Sequence, residues 1–129
     1  MNRVNIKPPH MRILLIGDQS IQNDAVKSIL NTEVSLEVLQ MTHAQVQDGL
    51  SLTKKYFVSL IDLVSLSQNP VEYVRQINEK KLSNHIIALH SSSYDELQEA
   101  LTDAGADYCF SIDSNPKDLV QLISQLNHK

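Results

Sequence analysis

Two aspartates stand after short apolar runs in this sequence, and their positions suggest a shared acidic site. Asp18 follows the run 13–16 and one glycine, and Asp62 follows the run 57–61. If these runs are neighbouring parallel strands, the two carboxylates meet at one edge of a sheet. Like charges repel there, so the pair must share a proton or bind a cation, and Mg²⁺ suits such oxygen ligands. Helix capping is the alternative, with Ser20 as the cap of the helix that follows Asp18.

Further polar side chains follow two other apolar runs. His90 and Ser91 come after the run 86–89, and Asp113 comes after the run 108–112. A hydrogen-bonded structural histidine is more common than a functional one, and acidic or hydroxyl residues after strands often cap helices. The single cysteine, Cys109, lies within an apolar run. This position favours a buried, inert thiol, and a lone cysteine excludes an internal disulfide.

The elements that position these residues begin with short apolar runs rich in branched side chains. Nearly continuous runs of this kind are typical of strands buried on both faces of a parallel sheet. The second run alternates in polarity and has the weakest pattern. The predicted strands cover residues 12–17, 34–41, 56–62, 85–90 and 108–112.

Segments with helical spacing of apolar residues separate the predicted strands. The first has the loosest spacing, with a stripe formed by Ile21, Ala25 and Ile29 beside Val26 and Leu30. Capping boxes and cap-then-proline pairs mark helix starts at Thr42–Gln45, Asn69-Pro70, Ser93–Glu96 and Asn115-Pro116. We expect Gly105 to end the fourth helix in a left-handed conformation. The predicted helices cover residues 20–31, 43–53, 70–81, 94–104 and 115–127.

Five alternating strand–helix units predict an α/β fold with a doubly wound, five-stranded parallel sheet. The chain has 129 residues, which is the usual size of one domain, and we expect residues 11–129 to form it. Residues 1–10 contain Pro8-Pro9 and are predicted to form a flexible leader.

Composition argues against several classes of protein. No apolar stretch approaches the roughly 20 residues of a membrane helix, and the N-terminus lacks the apolar core of a signal peptide. The net charge is −4 and the basic residues are scattered, so neither a membrane nor direct nucleic-acid binding is expected. A lone cysteine fits a reducing compartment, so we predict a cytoplasmic protein.

Four segments, in order, resemble the receiver domains of bacterial two-component response regulators. Residues 12–18 resemble the first strand with its acid, and residues 56–62 the third strand ending in the phospho-acceptor aspartate. Residues 86–91 resemble the fourth strand with its hydroxyl switch, and residues 104–112 the Gly-Ala-Asp start of the fifth strand. The resemblance spans about residues 11–127 and implies a flavodoxin-like (βα)5 fold with strand order 2-1-3-4-5.

Receiver domains accept a phosphoryl group on an aspartate from a kinase phosphohistidine, and Mg²⁺ offsets charge on the phosphoryl oxygens. The resemblance implies that Asp62 is the acceptor. It also implies that Mg²⁺ is the cofactor, with Asp18, Asp62 and the backbone carbonyl of Val64 as its ligands.

Four positions depart from the family pattern. Gly17 stands in place of the first acid, and His90 in place of the hydroxyl switch, although Ser91 beside it carries a hydroxyl. Cys109 stands in place of the switch aromatic, and Ile112 in place of the lysine that pairs with the phosphoryl group. The lysine matters most, because a charge-assisted hydrogen bond there is worth about 1.5–3 kcal/mol.

The departures favour an atypical single-domain receiver in phosphorelay signalling. On this hypothesis the chain acts through protein–protein contacts, with weak, altered or absent phosphorylation at Asp62. A conventional Mg²⁺-dependent phospho-accepting receiver is the alternative, and on neither hypothesis is the chain an enzyme. A flavodoxin-like cofactor-binding protein is a third possibility, but only Gly17 of the three glycines lies near the first turn, where a phosphate loop is needed.

The resemblance also implies partners. A histidine kinase or phosphotransfer protein would supply the phosphoryl group, and a signalling target protein would read the state of the domain. The surface of the fourth helix, fifth strand and fifth helix often forms dimers or binds targets in this family. Here that surface includes Gln98, Tyr108, Asp118 and Gln121.

Overall fold

The structure is a computed structural model that describes residues 11–33, 36–47, 56–64, 66, 68–91 and 96–127. The predicted leader, residues 1–10, lies outside the described residues. The strands are β1 (Met11–Ile16), β2 (Leu36–Met41), β3 (Tyr56–Asp62), β4 (Ser83–His90) and β5 (Tyr108–Ser111). The helices are α1 (Ile21–Asn31), α2 (His43–Gln47), α3 (Pro70–Lys80), α4 (Gln98–Ala104) and α5 (Pro116–Asn127).

The five strands form one parallel sheet in the order β2-β1-β3-β4-β5, which confirms the predicted topology. Ile16 of β1 lies opposite Ile61 of β3. Gly17, the next residue after β1, and Asp62, the last residue of β3, therefore lie side by side at the carboxyl edge of the sheet.

The core has two layers, one on each face of the sheet, because side chains alternate along each strand. Leu14 and Ile16 join the layer under α3 and α4, whereas Ile13 and Leu15 join the layer under α1 and α5. The central strands are thus buried on both sides, which explains their continuous apolar runs. At the edge of the sheet, β2 alternates from Leu36 to Gln40 between exposed and less exposed positions, as its alternating pattern predicted, and Met41 at its end is buried.

Most of the predicted helix caps are present. The Thr42 N–H donates to Gln45 Oε1 at 2.8 Å, and the Gln45 N–H donates to Thr42 Oγ1 at 3.1 Å. Asn69 Oδ1 accepts the Glu72 N–H at 3.1 Å. The predicted end of the second helix, beyond Gln47, lies outside the described residues.

The fourth helix starts later than predicted. Glu96 and Leu97 form a tighter 3₁₀ turn, so α4 begins at Gln98 instead of residue 94. Leu97 occupies the N-cap position and makes no side-chain capping bond. Most of the predicted capping box at Ser93–Glu96 lies outside the described residues.

The Gly-Ala-Asp segment connects α4 to β5. Gly105 ends α4 with φ +131°, a positive angle as predicted, although it lies beyond the usual left-handed helical region. Asp107 then pairs with Ile86 of β4 twice: its Oδ2 accepts the Ile86 N–H at 2.8 Å, and its own N–H donates to the Ile86 carbonyl at 2.8 Å. These two hydrogen bonds fix the register in which β5 starts beside β4.

None of the helices in the described part of the chain combines the length and the apolar character needed to cross a membrane.

Candidate functional site

Asp62 ends β3 at the centre of the carboxyl edge, and its side chain accepts hydrogen bonds from at least two neutral donors. Its Oδ2 accepts the Asn23 side-chain amide at 2.9 Å, and its Oδ1 accepts the Val64 backbone N–H at 2.8 Å. Asp62 is only 4% exposed. A buried carboxylate needs such partners, and these two bonds occupy one lone pair on each of its oxygens.

Asn23 reaches Asp62 because the N-cap of α1 fixes its backbone. Ser20 Oγ accepts the Asn23 N–H at 3.0 Å, which confirms the alternative reading of Ser20 as a helix cap. The Asn23 Nδ2 also donates to the Asp18 carbonyl at 2.7 Å. Both of its partners are acceptors, so the amide nitrogen, and not the amide oxygen, must face Asp62.

Gly17 is the position of the missing first acid, and the Asn23 amide fills its space. A Cβ built on Gly17 would lie 2.8 Å from Asn23 Nδ2 and 2.8 Å from the Asp62 Cβ. Asn23 is 3% exposed and is thus as enclosed as Asp62. The absence of a side chain at position 17 and the presence of an amide at position 23 are therefore coupled in space.

The sequence pattern of α1 missed Asn23. The predicted apolar stripe included Ile21 and Ala25, but Ile21 is 89% exposed and Ala25 is exposed as well. The inward face carries Val26 and Leu30, which were predicted beside that stripe, together with Asn23, at i, i+3 and i+7. In the sequence, Asn23 is a polar residue at helical spacing from the apolar Val26 and Leu30. Its role as a hydrogen-bond donor follows only from the position of Asp62 in the fold.

Asp18, the predicted second acid, is linked to Asp62 through this amide, because both residues accept hydrogen bonds from Asn23 Nδ2. The Asp18 side chain is exposed, and its Oδ1 accepts the His43 N–H at 3.2 Å. It therefore also ties the start of α2 to the end of β1.

A buried histidine–tyrosine pair joins α2 to α3 next to Asp18. His43 Nδ1 lies 2.7 Å from the Tyr73 hydroxyl, and the two rings meet edge to face with centroids 5.1 Å apart. Burial raises the pKa of Tyr73 to about 12, and the negative charge of Asp18 acts in the same direction. His43 Nε2 is buried and has no hydrogen-bond partner in the described part of the chain.

His90, at the position of the hydroxyl switch, is fully buried at the end of β4. Its Nδ1 lies 2.8 Å from the Ser91 carbonyl oxygen, which assigns the ring proton to that nitrogen because a carbonyl only accepts. Its own carbonyl accepts the Ile112 N–H at 2.8 Å. His90 and Ile112 thus lie at one junction between β4 and the end of β5.

Cys109 and Tyr108, at and beside the position of the switch aromatic, face opposite sides of the sheet. Cys109 packs in the layer under α4, with its Sγ 3.9 Å from the Gln98 carbonyl oxygen. Tyr108 packs in the layer under α1 and α5, so it cannot take the place of Cys109. Cys109 is half-buried, and this burial raises the pKa of its thiol against a smaller opposing effect of a hydrogen bond with Thr102.

Ile112, at the position of the lysine, lines an apolar pocket of about 80 Å³ that reaches Asp62. The pocket lies between the first turns of α1 and the start of α5. Its walls are formed by Gln22, Asn23, Ala25, Val26, Asp62, Leu89, Phe110, Ile112, Ser114 and Pro116. No lysine or arginine is among these described lining residues, so this side of Asp62 is aliphatic instead of cationic.

The side chains around Asp62, as they are arranged, do not fit a magnesium site. Mg²⁺ needs oxygen ligands, whereas the group that faces Asp62 Oδ2 is an N–H donor. The Val64 N–H donates to Asp62 Oδ1, and the role of the Val64 carbonyl as a ligand stays a prediction. The residues that the structure describes contain no group of three or more His, Cys, Asp or Glu side chains placed to hold a metal.

Comparison with solved structures shows which fold this is. The chain is similar to the receiver domain of a Francisella response regulator (14% identity, 91% of this chain and 96% of that one, TM-score 0.74). It is also similar to a response regulator receiver domain protein from Methanospirillum hungatei (22% identity, 92% and 95%, TM-score 0.72). A third similar structure is an atypical orphan response regulator described as having a phosphorylation-independent regulatory mechanism (20% identity, 90% and 94%, TM-score 0.71).

These likenesses show that the chain has the receiver fold, which confirms the resemblance read from its four segments. No protein-family model matches the sequence. A search of curated proteins finds no significant match.

Proposed function

We propose that this chain is an atypical receiver module of phosphorelay signal transduction. It acts through protein–protein contacts, and phosphorylation at Asp62 is weak, altered or absent. The observation that carries the proposal is the pair of neutral donors, the Asn23 amide and the Val64 N–H, on the Asp62 carboxylate.

The charge balance at Asp62 supports this proposal. Phosphorylation adds a group of about −1.5 to −2 charge at neutral pH, which receivers offset with a cation and a lysine. Here the position of the lysine is the aliphatic Ile112, and Asn23 contributes a neutral amide. A phosphoryl group on Asp62 would therefore gain less stabilisation than in a receiver with both acids and the lysine.

The atypical orphan regulator with the same fold provides a precedent for regulation without phosphorylation. On this model the partner reads the surface of the domain. We propose that this surface is the α4–β5–α5 face, where Gln98, Asp118 and Gln121 are exposed and Tyr108 is half-buried. The partner is a signalling target protein, a kinase or phosphotransfer protein, or a second copy of the chain, and we place the interaction in the cytoplasm.

One experiment separates this proposal from a conventional phospho-accepting receiver. The protein is incubated with Mg²⁺ and a phosphoramidate donor, and its intact mass is measured over time. Three proteins are compared: wild type, Asp62→Asn, and Asp113→Asn, which makes the same change at an exposed aspartate of the same sheet edge.

We expect little or no phosphate-sized adduct on the wild type. A rapid, near-complete adduct that persists in Asp113→Asn and is absent from Asp62→Asn would contradict the proposal and establish the conventional receiver. A slow or partial adduct with the same dependence on Asp62 would support weak phosphorylation.

A further inference from the structure

The Asn23 amide occupies the region in which a cation would balance the charge on Asp62. Its Nδ2 bridges Asp62 Oδ2 at 2.9 Å and the Asp18 carbonyl at 2.7 Å. These two oxygens belong to the acceptor and to the acid that follow neighbouring strands. A single N–H₂ group with two protons directed at two oxygens thus joins them.

The fit of this amide is specific in space. It lies 2.8 Å from the point where a Cβ of residue 17 would stand, and both Asn23 and Asp62 are almost fully buried. The glycine at position 17 makes the room that the amide fills. The Asn23 N–H donates to Ser20 Oγ at the N-cap, and this bond holds the first turn of α1 in the position from which the amide reaches Asp62.

The amide also supplies part of what a cation would supply. It stabilises a buried carboxylate by donating hydrogen bonds, and it adds no charge, whereas a cation would need at least one more oxygen ligand. The amide and an ion shared by Asp62 and Asp18 would compete for the same space, because the amide nitrogen already lies 2.9 Å from Asp62 Oδ2 and 2.7 Å from the Asp18 carbonyl oxygen.

We propose that the Asn23 amide takes the place of the divalent cation in this receiver fold, so that Asp62 is held without a metal. A change of this one amide to a carboxylate then creates a cation site between residues 23 and 62. This inference rests on the proposed function only in treating Asp62 as the receiver acceptor, and its test measures metal binding without any phosphoryl donor.

The test uses Mn²⁺ as the probe, because this ion prefers the same carboxylate, carbonyl and water ligands as Mg²⁺ and is visible by electron paramagnetic resonance. Binding is measured for wild type, Asp62→Asn, Asn23→Asp and Asn23→Asp/Asp62→Asn. The matched control is Asn31→Asp, the same change at the exposed last residue of α1. Circular dichroism checks the fold of each variant.

We expect no site that depends on Asp62 in wild type or in Asn31→Asp. Asn23→Asp should bind Mn²⁺ at least about tenfold more tightly than wild type, since a second carboxylate joins the site, and Asp62→Asn should remove that gain. If Asn23→Asp does not fold in the presence of Mn²⁺, Asn23→Ser is measured in the same way. Its shorter side chain removes the amide and leaves space for a hydrated ion.

Two results would overturn the inference. The first is Mn²⁺ binding by wild type that Asp62→Asn abolishes, because the amide would then not exclude the metal. The second is the absence of any gain in binding by the folded variant at position 23. Neither result depends on whether Asp62 accepts a phosphoryl group, so each is distinguishable from a failure of the proposed function.

Discussion

The Tyr73 hydroxyl lies 2.7 Å from His43 Nδ1 inside a fully buried contact between α2 and α3. The two rings are inclined at 75°, an edge-to-face arrangement in which each supports the position of the other. On its other side, the backbone N–H of His43 bonds to Asp18. The described start of α2 is therefore attached to both the candidate site and α3.

The first prediction concerns the pH dependence of stability. The pKa of Tyr73 is raised from 10.0 to about 12, so the folded state keeps this proton where the unfolded chain releases it. The contribution of the Tyr73 proton to the free energy of unfolding is fully present below about pH 10, and it is lost as the pH rises through about 12. A shift of this size corresponds to about 2–3 kcal/mol.

Tyr73→Phe is the matched variant for this prediction, because it removes the ionisable group and keeps the ring. The difference in unfolding free energy between wild type and the variant should shrink by about 2–3 kcal/mol from about pH 9 to pH 12. Urea titrations at several pH values measure it. A difference that stays constant over this range would show that the Tyr73 hydroxyl does not titrate abnormally.

The second prediction concerns Gly17. Gly17→Ala should destabilise the protein by about 1–3 kcal/mol, because the new methyl group meets both Asn23 Nδ2 and the Asp62 Cβ at 2.8 Å. Asn23→Ala should also destabilise it by about 1–3 kcal/mol, since it takes one donor from the buried Asp62 carboxylate. Urea unfolding measures both losses.

The double variant Gly17→Ala/Asn23→Ala tests whether the two residues share one space. Its loss should be smaller than the sum of the single losses, because removal of the amide relieves part of the clash. Additive losses would indicate that the Asn23 amide does not restrict position 17.

The third prediction concerns Gly105. Gly105→Ala should cost about 1–3 kcal/mol, because the backbone has φ +131° and the new Cβ would lie 2.6 Å from the Asn78 Cγ. In an Asn78→Ala background the clash with the Asn78 Cγ and Nδ2 should disappear, whereas the contact with its Cβ at 2.8 Å and the cost of the positive φ should remain. Full recovery of stability in that background would argue against backbone strain at this position.

The fourth prediction concerns the reactivity of Cys109. Burial raises the pKa of its thiol, so the thiolate that reacts with disulfide reagents is scarce near neutral pH. We expect native Cys109 to react more slowly than a free thiol and to show a rate–pH midpoint above that of free cysteine. The same protein in denaturant is the control, and equal rates in both states would contradict the prediction.

The fold was predictable because its signals are local. Strands buried on both faces must be apolar throughout, and caps such as Thr42 with Gln45 act over three residues, so both are visible in sequence. The left-handed conformation of Lys81, the C-cap of α3 with φ 56°, was not predicted. Lysine has no preference for that region, so the residue type gave no signal for this left-handed helix end.

The candidate site was predictable only in part. Asp62 and Asp18 were found because polar residues after apolar strands collect at one sheet edge. Asn23 was missed because its role depends on Asp62, 39 residues away, and on the empty space above Gly17. In the sequence, Gly17 indicates only that an acidic side chain is absent. In the structure, the Asn23 amide fills the space beside Gly17 and bonds to Asp62.

The contact between Gly17 and Asn23 also restricts the mutational route between this chain and a receiver that carries both acids. A side chain at residue 17 has to displace the Asn23 amide, and the bonds to Asp62 and Asp18 are broken when the amide leaves. The step at position 17 is therefore unfavourable for as long as asparagine is present at position 23. A route that introduces an acid at residue 17 has an imposed order, with residue 23 changing first.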